Sequence, residues 1–205
     1  MPKRFDDDRR LELLDGVVDI IIERGFSEVT VSDMANELHC SVSSLYKIAT
    51  NKDGLIILAI ARWGDLALEK MEAQSLRGIT AVDRARLYWH AAVEIIRLQS
   101  HEFRKDIDRF ESARLAYANI SNRFIERFVG LLDEAVESDE IEPINSCFVV
   151  HIFRQIAFVI RDERILEKCG LDASQALEQM DRIIWNGIKN GKEGNINGKG
   201  SKKRG

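Results

Sequence analysis

Proline is nearly missing from this chain. Only Pro2 and Pro143 occur in 205 residues, so almost nothing interrupts helical hydrogen bonding along the backbone. Apolar residues recur at helical spacing nearly throughout, and an all-α fold follows. Cysteine is scarce too: Cys40, Cys147 and Cys169 are odd in number and lack any metal-ligand spacing. There is neither a signal-peptide core nor an apolar run long enough to span a bilayer, and the expected compartment is a reducing cytoplasm. What is present is 45% hydrophobic residues, enough for a real core in one or two small domains.

The densest set of helix signals lies in residues 30–55, TVSDMANELHCSVSSLYKIATNKDGL. Thr30 with Asp33 makes a near capping box, and Val29 with Met34 can close a hydrophobic staple, so a helix should begin at Val31. Met34, Ala35 and Leu38 share one face, where the small Ala35 lets a second helix cross closely. Ser41 then caps a helix from Val42 to about Ala49, with Cys40 and Leu45 as its staple. Two short helices joined by a tight turn are a helix-turn-helix pattern.

These residues resemble the TetR-type (tetracycline-repressor-like) bacterial transcription regulators. The match runs through Thr30-Val31, Asp33-Met34-Ala35, Glu37-Leu38, Ser41, Leu45-Tyr46, Lys52 and Leu55, preceded by Glu23-Arg24-Gly25-Phe26. The chain departs from the pattern where the family usually has glycine, at His39 and again around Val42 and Ser43, and where it has a core phenylalanine, at Ala49. A strained turn at His39 and a volume gap beside Ala49, to be filled by Ile48, are the expected consequences.

The resemblance implies that the second helix enters the major groove of DNA, with Val42, Ser43 and Ser44 nearest the bases or phosphates and Thr30 and Ser41 at the caps. It implies phosphate contacts from Tyr46 and Lys52, to which Lys47 adds a cation on the same element. Plain packing and capping is the competing account of Tyr46 and Ser41. Residues 1–55 hold seven lysines and arginines against eleven aspartates and glutamates, so this segment is net acidic. Binding would then rest on a few local cations and on dimerisation.

The first helix is expected over residues 5–25, capped by Asp6-Asp7-Asp8, buried through Leu11, Leu14, Val18 and Ile21, and stopped by Gly25. A fourth helix should run from a cap at Asn51 to about Ala73; in the resembling family it joins the DNA-reading part to the regulatory part. Thr80 caps a helix from about Ala81 to Ser100. Its second face, with Leu87, His90, Ala91, Glu94, Leu98 and His101, mixes apolar and polar groups as the lining of a small-molecule pocket does. The pocket residues proposed from the sequence are Trp89, His90, Glu94, Phe110, Tyr117, Phe124 and His151. A partly exposed face with a His-Glu pair is the alternative, and Phe110, Tyr117 and Phe124 are equally at home in a core. A metal site is disfavoured: a rise of about 1.5 Å per residue puts His90 and His101 roughly 16 Å apart, and no HExxH pattern supplies further ligands. No cofactor is expected.

Helices are expected at 103–118 and 121–138, and Pro143 fits the first turn of the next, which reaches about Arg161. That helix is apolar nearly all round, so one side needs a partner. With the last helix, Ala173 to about Lys189, it resembles the pair that builds the family's dimer interface, a four-helix bundle across a two-fold axis. The tail from Asn190 is glycine-rich and basic and is expected to be disordered.

The whole reads as an all-α chain of about nine helices. A helix-turn-helix DNA-binding domain occupies 1–55, a helical ligand-binding and dimerisation domain 56–189, and the tail 190–205. The implied function is a ligand-responsive transcriptional regulator, a repressor, binding a palindromic operator as a homodimer and released by a small-molecule effector. The alternative is a regulator-like helical dimer that has lost sequence-specific DNA binding and binds a ligand or protein; an enzyme ranks third, for want of an acid-base or nucleophile constellation.

Overall fold

The computed structural model describes residues 2–196 as backbone and 7–188 as side chains. The described residues form ten helices and no strand: α1 (Pro2–Arg24), α2 (Val31–Glu37), α3 (Val42–Tyr46), α4 (Lys52–Ser75), α5 (Ala81–Arg97), α6 (His101–Arg109), α7 (Glu111–Glu137), α8 (Ser146–Ile160), α9 (Glu163–Cys169) and α10 (Ala173–Ile196). They divide into two compact units, Met1–Lys70 with Arg97–Phe124, and Met71–Ile96 with Ile125–Gly205.

The first unit is built on α1. Leu13, Leu14, Val17, Val18, Ile20 and Ile21 are buried, a wider stripe than periodicity predicted, while Leu11 is 46% exposed and lies off it. α1 begins at Pro2, so positions 6–8 lie within the helix and past the cap position. Proline suits a first helical position because its missing N–H has no partner there anyway. Gly25, at φ 73°, ends α1 in the left-handed region as expected. Against this helix lie α2, α3, the first half of α4, and α6, joined in one core by Met34, Leu45, Leu55, Ile60 and Phe103. Ile48 is buried in that core and Ala49 is half-buried against it. α4 and α7 meet at Gly64, where a Cβ would come within 2.4 Å of Ile120.

The second unit holds an aromatic core. Trp89 of α5 stacks on Phe128 of α7 at 6.3 Å, and Phe153 of α8 meets Trp89 edge-on at 4.9 Å and Trp185 of α10 at 5.3 Å. Burying four such rings is worth several kcal/mol before any gain from ring geometry. Arg127 grips Glu72 with two bonds of 2.8 and 2.6 Å. This pairing raises the arginine's pKa and holds the Glu72 carboxyl below its ordinary range.

Beyond the start of α1, the ends of α3 (Tyr46, not near Ala49) and α5 (Arg97, not Ser100) fall short of expectation, and four larger differences follow. The break expected near residue 119 falls at Phe110, so α7 runs unbroken through Ala118 and Asn119. Nothing there stops a helix: Ser121 turns its hydroxyl back to the Tyr117 carbonyl at 3.2 Å, the habit of a serine in mid-helix. Pro143 lies in an exposed loop and outside α8; Asn145 is the cap, its side-chain oxygen accepting from Phe148 N at 2.9 Å. A short α9 was missed, although Asp162 caps it and Gly170, at φ 64°, closes it. Lastly, α10 continues to Ile196, through residues expected to open the disordered tail; the remainder of that expectation, 197–205, lies outside the described residues.

Candidate nucleic-acid interface

The helix-turn-helix is assembled from local bonds. Thr30 Oγ1 accepts from Asp33 N at 3.1 Å while Asp33 Oδ2 accepts from Thr30 N at 2.9 Å, a complete capping box at the start of α2. The hydrogen bond from the Thr30 hydroxyl, reinforced by its backbone N–H, holds the Asp33 carboxyl below its ordinary value. Five residues farther on, the chain turns through His39 at φ 48°. This is the strain expected where glycine would be relaxed, and His is among the residues that tolerate it. Ser41 then caps α3, accepting from Ser44 N at 3.1 Å, with its hydroxyl also 2.8 Å from those of Ser43 and Ser44.

α3 is thereby fixed from below and free above. Leu45 is fully buried and Ile48 nearly so, whereas Ser43, Tyr46 and Lys47 are exposed, Tyr46 by 47%. Val42 is half-buried against the core. From α1, the Arg10 guanidinium reaches the Ile48 carbonyl at 3.4 Å, a tether that the sequence reading did not find because the two residues are 38 apart. Lys52, at the first position of α4, donates to the Ser27 carbonyl at 3.2 Å. Of the eight candidate DNA contacts, then, Thr30 and Ser41 are engaged in capping, Ser43, Ser44, Tyr46 and Lys47 share one short element, and Lys52 is anchored beside it.

Several acids of this segment are paired, one of them with Arg62 of α4, a cation from beyond residue 55. Asp15 forms a two-bond pair with Arg62 at 2.6 and 3.0 Å, Glu12 pairs with Arg9 at 2.7 Å, Glu37 pairs with Arg24, and Asp33 is used in the cap. The lysines at 47 and 52 have no acidic partner among the described ion pairs.

The expected pocket residues are divided. Trp89, His90, Glu94 and His151 belong to the second unit, Phe110, Tyr117 and Phe124 to the first. Trp89 is buried in the aromatic core; His90 Nε2 approaches Asp181 Oδ2 at 2.7 Å without hydrogen-bond alignment; Glu94 and His151 are exposed. Phe110 packs on Phe26 at 5.5 Å, Tyr117 stacks on Trp63 at 5.6 Å and bonds Gln99, and Phe124 is half-buried. Among the described residues no three His, Cys, Asp or Glu gather as metal ligands, and no helix is long and apolar enough to cross a membrane.

No family model and no curated protein matches the chain. Solved structures do. A TetR-family transcriptional regulator from Rhodococcus sp. superposes with a TM-score of 0.72 at 18% identity, over 89% of this chain and 99% of that one. The regulator FadR from Bacillus subtilis, solved with stearoyl-CoA, gives 0.62 at 17% identity over 82% and 95%. AibR, solved with isovaleryl coenzyme A and operator DNA, gives 0.59 at 18% identity over 85% and 97%. The chain has the fold of the TetR-type transcriptional regulators.

Proposed function

We propose that the chain is a DNA-binding transcriptional regulator, a repressor that binds a palindromic operator as a homodimer and is released by a small-molecule effector. The observation that carries this reading is α3. Its inner residue Leu45 is fully buried while Ser43, Tyr46 and Lys47 stand exposed, and Lys52 is held close behind. A recognition helix needs this arrangement: rigid backing, hydroxyls and a phenol for phosphate or base edges, and cations for the backbone.

Exposed apolar side chains on α8 and α10 support the same reading. On α8 one face, Val150, Phe153, Ala157 and Ile160, is buried, while Phe148, Ile152, Phe158 and Val159 lie 64%, 42%, 43% and 46% exposed. On α10, Ile183 is 67% exposed and nothing lies within 4 Å of a Cβ at Gly187. Apolar rows of this kind on two helices suit a four-helix contact with a second copy, which supplies the second recognition helix that a palindrome requires. The fold neighbours solved with acyl-CoA ligands support a ligand-responsive regulator. The effector would act by favouring a dimer geometry that no longer fits the operator.

Selection from random duplex DNA by the purified protein, at low and moderate salt, tests this. Enrichment of a two-fold-symmetric site, weakened by Tyr46→Ala, is the expected result. A folded dimer that enriches no sequence even at low salt would leave the helical dimer without sequence-specific DNA binding as the better account.

A further inference from the structure

Asp106 is a carboxylate only 3% exposed, and its surroundings explain how it survives there. Its Oδ2 accepts from Phe26 N at 2.6 Å and from Ser27 N at 2.8 Å. Both N–H groups belong to the turn after α1 has ended and before α2 begins, where no helical carbonyl is available to them. The fit is close: a Cβ on Gly25 would lie 2.7 Å from the same oxygen. The other end of α6 is tied to α1 as well, since Ser100 N donates to the Ile22 carbonyl at 3.0 Å. Phe26 is gripped by two rings flanking Asp106 in sequence, Phe103 at 6.3 Å and Phe110 at 5.5 Å. The turn at 25–27 therefore has its position set by α6.

The same turn holds a cation. Ser27 presents its N–H to Asp106 and its carbonyl to Lys52 Nζ, at 3.2 Å. A free lysine side chain must give up its rotamer freedom to make a contact, so an anchored ammonium can meet a phosphate at lower entropic cost than a mobile one. Lys52 lies at the first turn of α4 and its ammonium is bonded to the Ser27 carbonyl, so its placement depends on whatever fixes Ser27.

We propose that Asp106 is a positioning residue for DNA binding: its carboxylate fixes the turn after α1, and through Ser27 that turn holds the Lys52 ammonium where it meets a backbone phosphate. The inference rests on the DNA-binding reading above and adds a residue that lies 54 positions from Lys52 in sequence, on a helix with no DNA-contact candidate of its own.

The test is a double-mutant cycle read through salt. Affinity for an enriched duplex is measured against salt concentration for the wild type, Lys52→Ala, Asp106→Asn and the double variant, with melting curves to establish that each is folded. Lys52→Ala should weaken binding roughly tenfold, the size of one charge-assisted contact, and reduce the salt slope by about one per protomer. Asp106→Asn should lose affinity and slope in the same direction, and the double variant should be no weaker than Lys52→Ala alone. A folded Asp106→Asn with wild-type slope, or losses that simply add, overturns the inference while leaving the DNA reading intact. A wild type that binds no duplex defeats that reading first. Should Asp106→Asn fail to fold, amide exchange on the wild type reads the same link. Duplex DNA should slow exchange at Phe26 and Ser27, and should not do so in Lys52→Ala; unchanged rates in the wild type overturn the inference.

Discussion

Glu140 illustrates how a single side chain closes a helix end in this molecule. It follows Asp139, which bends the chain through φ 58°, and its carboxylate accepts from Ala81 N at 3.0 Å and Val82 N at 2.8 Å, capping α5 from another segment. Burial pushes its pKa up, but the N–H groups of Val82 and Ala81, the Thr80 hydroxyl and the Arg84 charge together outweigh burial and leave the carboxyl below the ordinary value of 4.5. A group depressed on folding contributes stability that is present above the unfolded value and is lost as pH falls through the folded one. Glu140→Gln should therefore cost about 1 kcal/mol at neutral pH, lower the melting temperature by about 2–4 °C, and flatten the fall in melting temperature below pH 4.5. Glu72, depressed by Arg127, titrates in the same direction, so part of the acid sensitivity should remain. A variant with the wild-type acid profile contradicts this assignment.

At the scale of elements, the packing of α4 on α7 depends on a residue with no side chain. A Cβ at Gly64 would meet Ile120 Cγ1 at 2.4 Å and Cδ1 at 2.5 Å, too close to absorb unless the isoleucine side chain or the helices move. Gly64→Val should destabilise the protein by about 2 kcal/mol despite the poor helix propensity of glycine, and combining it with Ile120→Ala should recover part of the loss. Thermal melts of the two variants check this. Equal melting temperatures for Gly64→Val and wild type would mean that the helices are not in close contact there. Elements built from local bonds were legible in the sequence: the Thr30 and Ser41 caps, the Gly25 stop and the strained turn at His39 all involve residues within a few positions of each other. The partition of residues 101–137 was not legible. Its break at Phe110 is made by Asp106 and Phe110 reaching back to Phe26, some 80 positions away, and periodicity carries no trace of such a contact. The same holds for Arg10 at the back of α3 and for Glu140 at the head of α5. The expected pocket residues were grouped by helical face alone, which says nothing about which unit a helix end joins, and three of the seven lie in the first unit.

In the whole molecule, the proposed function uses two exposed features of different chemistry: the polar outer face of α3 and the apolar side chains of α8 with Ile183 of α10. Placing a charge in the apolar row, with Phe148→Glu or Ile183→Glu, should convert a micromolar dimer to monomer in analytical ultracentrifugation while leaving the helical content unchanged, because both side chains are more than 60% exposed in the single chain. Such monomers should lose affinity for a symmetric duplex even though α3 is untouched. Dimers that persist in both variants would place the contact elsewhere. Sequence-specific recognition is measured as the ratio of two affinities. Binding of the wild-type protein to its enriched duplex and to a scrambled duplex of equal length and composition should be compared at one near-physiological salt concentration. The expected ratio is about a thousand or more. A ratio near one would mean that phosphates alone are being bound, and would contradict sequence-specific recognition.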